Sequence, residues 1–346
     1  MFIQHKQTAR SLTAAAVALF SAFLLLVVSA RPSAAAEGNW YEVDDAPSEE
    51  AVATASWNDG DLFHVWRGSG QNERLYVTTS PSAGPFRAIS EIPGGGRTEN
   101  MPSVAMRDQH PVVFHVGTNG GIFYQTYRGA TNGGWEGTWH SLDGNFAQNS
   151  VAVASFNHGH FLVVTYRGTN NRMYIGWFDS EMRWHPAGEI PGDGTTLHSP
   201  AIAVVNDGGF YVTHTGTNGH VYYTYGSFDP SGLADNDVDW IGRWIEIPGL
   251  VNGNISTSHP TMVSYGPDTD TAHNTVIDVA VVDDDLGIQW AQWRAGGGGW
   301  GSWRQIRASN LLFYIAPILW TWRNQQAILY YTGRTTLYGK TLSTWY

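Results

Sequence analysis

The chain is expected to be all-β: a six-bladed propeller of four-stranded antiparallel blades, its ring closed by the N-terminal strand of the mature chain. Three observations predict this. A motif built on Gly-Thr-Asn returns about every 50 residues, short apolar runs alternate with turn residues, and helical spacing is absent.

The motif reads His115-Val116-Gly117-Thr118-Asn119-Gly120, then Tyr166-Arg167-Gly168-Thr169-Asn170-Asn171, then His214-Thr215-Gly216-Thr217-Asn218-Gly219. The first two glycines are 51 residues apart and the next two 48. Weaker copies stand at Trp66-Arg67-Gly68-Ser69 and Tyr331-Thr332-Gly333-Arg334, and Val281-Val282-Asp283-Asp284 fills the gap between them. Within a copy a small-residue strand, Pro102 to Met106, leads through a turn to a second strand, Pro111 to Val116. Gly-Thr-Asn-Gly then makes a tight turn, because Gly and Asn tolerate the positive φ that most residues avoid. A third strand, Ile122 to Tyr127, and a short fourth around Trp139 to Leu142 complete the blade.

The fourth strand recurs as Phe86 to Pro93, Trp184 to Pro191, Trp244 to Pro248 and Trp303 to Ile306, but the sixth copy stops at Tyr346 before reaching it. Trp40-Tyr41-Glu42-Val43 matches the missing strand and is expected to complete the last blade. The expected blades are residues 51–99, 100–148, 149–197, 198–257, 258–310, and 311–346 with 39–48. Insertions at Phe228 to Asp239 and Tyr265 to Asn274 interrupt blades four and five.

Residues 1–36 read as a secretory signal peptide: Lys6 and Arg10, an apolar run from Ala14 to Ala30, then Ser33-Ala34-Ala35-Ala36. A secreted single domain over 37–346 follows, with no membrane insertion after cleavage. Removing the leader takes three basic residues and no acids, moving the net charge from −11 to −14. That charge makes nucleic acid a poor partner. There are no cysteines, so disulfides and thiol chemistry are excluded and the 16 tryptophans, 16 tyrosines and 14 phenylalanines must supply the core.

Gly117-Thr118-Asn119 with Trp135-Glu136-Gly137-Thr138-Trp139, and Gly296 to Trp300 with Gly301-Ser302-Trp303, resemble the blades of the PLL-type bacterial propeller lectins. The resemblance implies glycan partners and sugar sites in clefts between neighbouring blades. Members of that family have seven blades, against the six expected here.

By strand alternation, the turn after strand two and the link from strand four to the next blade share one face. That face collects Asn119, Asn170, Asn218, Asp284 and Arg334 from turns, and Arg97, Glu99, His198, His259 and Tyr314 from links. Two residues before each turn glycine, or its equivalent, stand Trp66, His115, Tyr166, His214, Val281 and Tyr331. A pyranose packs its C–H face on such rings while amides, acids or Arg take its hydroxyls; alternatively, the rings fill the space between blades. Arg67 and Arg167 occupy matching positions and fit hydroxyls, a carboxylate or an ion pair. His198 and His259, before Pro200 and Pro260, are expected to be placed alike.

No cofactor is expected, with calcium kept as the alternative. Asp235, Asp237 and Asp239 open like a calcium loop, yet its sixth position is Trp240 and no glutamate closes it. Motifs of serine hydrolases, metalloproteases and P-loop proteins are absent. The expectation is therefore a secreted lectin with repeated sugar sites, and the alternative is an extracellular glycan-cleaving hydrolase or lyase using one site on the same face.

Overall fold

The second strand of each copy is a nearly unbroken apolar run, the pattern of a strand covered on both faces. In a computed structural model these strands are central: Asp61–Arg67, His110–Val116, Phe161–Arg167, Gly209–Thr215 and Val276–Val282, buried over almost their whole length. The structure describes residues 41–45, 51–57, 61–69, 72–81, 87–130, 133–156, 159–205, 208–228, 238–250, 253–265, 275–294, 299–306, 318–322, 326–332 and 336–342. Of these, 41–45 and 318–342 are described as backbone only. All lie in the compact unit Gly38–Leu342.

The fold is an all-β propeller whose sheets are antiparallel and follow one another along the chain. Blade one comprises Ala53–Trp57, Asp61–Arg67, Leu75–Pro81 and Ser90–Glu91; blade two comprises Ser103–Arg107, His110–Val116, Gly121–Thr126 and His140–Phe146. Blade three comprises Ala152–Phe156, Phe161–Arg167, Met173–Phe178 and Trp184–Glu189. Blade four begins with Ala201–Val204, Gly209–Thr215 and Val221–Phe228, and blade five with Thr261–Tyr265, Val276–Val282 and Ile288–Arg294.

The expected six equivalent four-stranded blades require correction. The blades described with packed side chains number five, not six, and two of the five have five strands. In blade four the outer strand is split, so that Val238–Trp240 and Ile245–Glu246 pair with different halves of Val221–Phe228. Blade five divides likewise into Gly299–Trp300 and Arg304–Ile306. The backbone break falls where Gly242 adopts a φ of 74° and, in blade five, at Gly301 between the two halves. The remaining sheet is composite: Tyr41–Asp45 lies beside Thr336–Leu342, followed by Gln326–Thr332 and Ile318–Trp322. Its strands come from opposite ends of the chain and no side-chain packing is described for it, so neither a sixth equivalent blade nor a closed ring is counted.

The core sits between blades. Phe63 meets Trp135 across blades one and two with ring centroids 6.0 Å apart, and Tyr124 meets Phe178 edge-on across blades two and three at 4.9 Å. Phe156 stacks on Phe228 across blades three and four at 5.3 Å, and Tyr211 meets Trp293 across blades four and five at 5.0 Å. Each such ring contributes about 2–3 kcal/mol by leaving water. This aromatic mortar holds a chain that has no cysteine to cross-link.

Candidate functional site

Turns and links do share a face. The amide of Thr98 donates to the Glu73 carbonyl, Ala147 to Gly120, Thr196 to Asn171 and Ser256 to Gly219, all at 2.8–3.0 Å. Each turn is closed by the glycine amide, as in Gly117 to the Gly121 carbonyl at 2.8 Å and Gly168 to that of Arg172 at 2.9 Å.

The turn asparagines act as staples. Asn170 Oδ1 accepts the Arg172 amide at 3.1 Å while Nδ2 donates to the Tyr174 hydroxyl at 2.9 Å. Asn218 does the same with His220 and Tyr222 at 3.2 and 2.8 Å, and Asn119 Oδ1 accepts the Gly121 amide at 3.0 Å. Asn72, which sequence spacing missed because its turn is two residues longer, binds the Arg74 amide and the Tyr76 hydroxyl at 3.3 and 2.7 Å.

The rings two residues before the turn glycines are buried: Trp66 is 0% exposed, His115 3%, Tyr166 6% and His214 2%. Each faces a ring on the third strand, pairing Trp66 with Tyr76, His115 with Phe123, Tyr166 with Tyr174 and His214 with Tyr222 at centroid distances of 5.4–6.3 Å. His115 and His214 also meet Trp139 and Trp244 edge-on at 4.4 and 4.3 Å. Burial pushes the His115 pKa down to about 4, against hydrogen bonding from the Val116 and Arg97 backbone, and that of His214 to about 3. Burial likewise raises Tyr166 to about 12, and its hydroxyl donates to Asn145 Oδ1 at 2.7 Å. Of the two readings of these rings, the structure places them in the space-filling one.

The half-buried rings are their partners, Tyr76, Phe123, Tyr174 and Tyr222. They cover the turn glycines so closely that a Cβ on Gly168 would lie 2.6 Å from Tyr174 and one on Gly216 2.8 Å from Tyr222. Beside three of them stands an exposed pair of a basic side chain and a carboxylate. Arg74 binds Glu91; Arg172 Nη1 donates to Glu189 at 3.0 Å and to Asp193 at 2.7 Å; His220 Nδ1 lies 2.7 Å from Glu246. Hydrogen bonding to Asp193, then the Glu189 charge, raises the Arg172 pKa. The strand register sets Glu91 opposite Tyr76, Glu189 opposite Tyr174 and Glu246 opposite Tyr222. Blades one, three and four thus repeat one constellation: a flat ring, an amide, a basic side chain (Arg74, Arg172 or His220) and a carboxylate. A legible signal was available, since Phe123, Tyr174 and Tyr222 all follow the turn glycine by six residues and Glu-Ile-Pro-Gly occurs at 91–94, 189–192 and 246–249.

The other expected residues are distributed as follows. Arg97 and Glu99 are exposed in the link into blade two, with Arg97 bridged by backbone to Arg74. Arg67 is half-buried before its turn, and Arg167 is 7% exposed. Asp284 Oδ1 accepts the Ile255 amide at 3.1 Å, which ties it to a link. His198 and His259 are not placed alike: His198 is two residues before Pro200 and His259 one before Pro260, so Ser258 is the match of His198. Tyr331 is described only as backbone, and Tyr314, Arg334, Asp235 and Asp237 lie outside the described residues. Among the described residues no three His, Asp or Glu side chains are grouped to hold a metal ion.

No family model matches the chain, and no curated protein matches it. Solved structures do. AofleA from Arthrobotrys oligospora is 14% identical over 89% of this chain and 86% of its own, with a TM-score of 0.61. The fucose-specific lectin from Aleuria aurantia is 11% identical over 86% and 97%, with a TM-score of 0.54. The NanB sialidase from Streptococcus pneumoniae is 9% identical over 91% and 72%, with a TM-score of 0.59. At these identities the likeness is one of fold.

Proposed function

We propose that the chain is a lectin with equivalent sugar sites at the outer strands of its blades. The observation that carries the reading is the constellation repeated in blades one, three and four. In blade three, Tyr174 offers a flat apolar face while Arg172, Glu189, Asp193 and the free N–H of Asn170 surround it with donors and acceptors. That combination suits a pyranose, which has an apolar C–H face and a rim of hydroxyls. Pairs this exposed add little to stability, so stability alone is a poor account of their recurrence.

The likeness in fold to the fucose-specific Aleuria aurantia lectin supports fucosylated glycans as the first ligands to test. The PLL-type grouping is the finer form of the same proposal. Export through a leader at residues 1–36 fits a glycan binder, and the reading needs no cofactor. A glycan-cleaving enzyme would concentrate unrepeated polar residues at one spot, whereas these clusters recur.

Retention on a glycan array, followed by calorimetry, tests the proposal. Fucosylated glycans are expected to bind, and Glu189→Gln is expected to weaken the blade-three site roughly 10-fold, as for loss of a charge-assisted hydrogen bond. Failure to retain any glycan would sink the reading.

A further inference from the structure

Arg167 is the most anomalous charge among the described residues. It ends the second strand of blade three with 7% of its surface exposed. Its Nη2 donates to Asn149 Oδ1 at 3.3 Å, its Nη1 to the Thr196 carbonyl at 3.5 Å, and its buried Nε has no partner. Both acceptors are uncharged and both contacts long, and among the described residues no carboxylate pairs with it. A buried guanidinium held this way keeps much of its desolvation cost. Blade one repeats the charge as the half-buried Arg67, but blades two, four and five have Val116, Thr215 and Val282 at the same position, so the charge is not a requirement of the turn.

Two imidazoles stand nearby, held by a network of hydroxyls. Thr196 Oγ1 accepts the His198 amide at 3.0 Å and lies 2.6 Å from the Thr215 carbonyl, to which it donates. Thr215 Oγ1 in turn donates to the carbonyl of Ser258, the residue before His259, at 2.8 Å. After burial, the Arg167 charge is what lowers the His198 pKa, and His198 acts similarly on His259. The buried Nε2 of His259 has no partner. These bonds tie the guanidinium of blade three to the segments that carry His198 and His259, both half-buried, and leave Arg167 Nε and His259 Nε2 without a partner.

We propose that Arg167, His198 and His259 form an anion subsite that takes the carboxylate of an acidic sugar such as a uronate. The inference rests on the carbohydrate-binding reading and adds a second class of sugar to it, at a single place instead of a repeated one. A carboxylate matches the planar fork of a guanidinium and accepts from an imidazole N–H, offsetting the cost of the buried charge. The chain's net charge of −11 gives no long-range attraction for an acidic glycan, so recognition has to be local.

Calorimetric titration with methyl glucuronide, its neutral counterpart methyl glucoside, methyl fucoside and inorganic sulfate provides the test. The glucuronide is expected to bind at least 10-fold tighter than the glucoside, and Arg167→Met is expected to bring that ratio towards one. In the wild-type chain, which avoids any folding defect of the variant, the ring 15N resonances of His198 and His259 should move with glucuronide and not with glucoside. Equal affinity for glucuronide and glucoside, unmoved imidazole resonances, or sulfate binding as tightly as glucuronide would overturn the carboxylate assignment. A chain that binds methyl fucoside without preferring glucuronide loses only this inference. A chain that binds none of the sugars loses the lectin reading as well.

Discussion

Blades three and five close the same turn by opposite means. In blade three a glycine, Gly168, lies under the ring of Tyr174, and Asn170 fixes the hydroxyl of that ring. In blade five the glycine is replaced by Asp283, fully buried, and the ring by Gln289 at the same six-residue offset. Asp283 Oδ1 accepts the Gly287 amide at 2.7 Å, while Oδ2 accepts from Gln289 at 2.6 Å and from Asn254 at 3.1 Å. The backbone is unchanged, with Asp283 donating to the Gly287 carbonyl at 2.9 Å as Gly168 does to that of Arg172. Stacking and a buried polar network thus accompany the same backbone turn, but only stacking leaves a half-buried ring beside it for a ligand.

The largest test of that equivalence is Asp283→Ala. It removes the acceptor of the Gly287 amide and one acceptor each of the Gln289 and Asn254 side-chain amides in a fully buried place, and is expected to cost about 3–5 kcal/mol in urea unfolding. A loss below 1 kcal/mol would mean that the network does not hold the turn.

A second contrast is pH. Burial lowers His64 to about 3, His115 to about 4 and His214 to about 3 in blades one, two and four, and His259, in the link into blade five, to about 4. The folded state binds fewer protons than the unfolded between those values and 6.5. The stability contribution is therefore complete above pH 6.5 and is lost as pH falls towards 4 and below. A drop on the order of several kcal/mol between pH 7 and 4.5 is expected from urea midpoints, at about 1.4 kcal/mol per unit per group. Asp278 in blade five, raised to about 6 by burial, works in the other direction and offsets part of the loss. His214→Val should flatten the profile; an unaltered slope would show that this ring is not the titrating group.

The smallest effect lies at the fourth turn residue. Gly120, Asn171 and Gly219 take positive φ there, and Leu286 takes the same place with φ of 57°. Leu286→Gly is expected to relieve about 1 kcal/mol of left-handed strain, less the entropy glycine adds to the unfolded chain. A thermal melt showing destabilisation would place the apolar contacts of Leu286 above its backbone cost.

The regular parts of this organisation were legible. Gly117, Gly168 and Gly216 announced the turn, and the apolar runs preceding them announced doubly covered strands. Legibility failed where one position carries two meanings. Trp66, His115, Tyr166 and His214 read equally as sugar platforms or as packing, and burial decided for packing. The half-buried rings Tyr174 and Tyr222 repeat at one offset from the turn glycine and Tyr76 at a longer one, yet nothing in their spacing said that an asparagine would hold each hydroxyl. The split outer strands of blades four and five were hidden too, because a Gly-containing break inside a strand looks like a loop.

By itself the sequence determined what depends on near neighbours along the chain: the period, the turn chemistry, the absence of cross-links and the supply of aromatic mortar. Tertiary structure decided what depends on register and on which faces meet. Arg172 finds Glu189 across a strand pair 17 residues on, and Arg167 reaches the links into blades three and four through Asn149 and Thr196. Turn propensities act over a few ångströms of local backbone, whereas these meetings follow from sheet pairing and blade packing, which bring together residues that no local pattern relates.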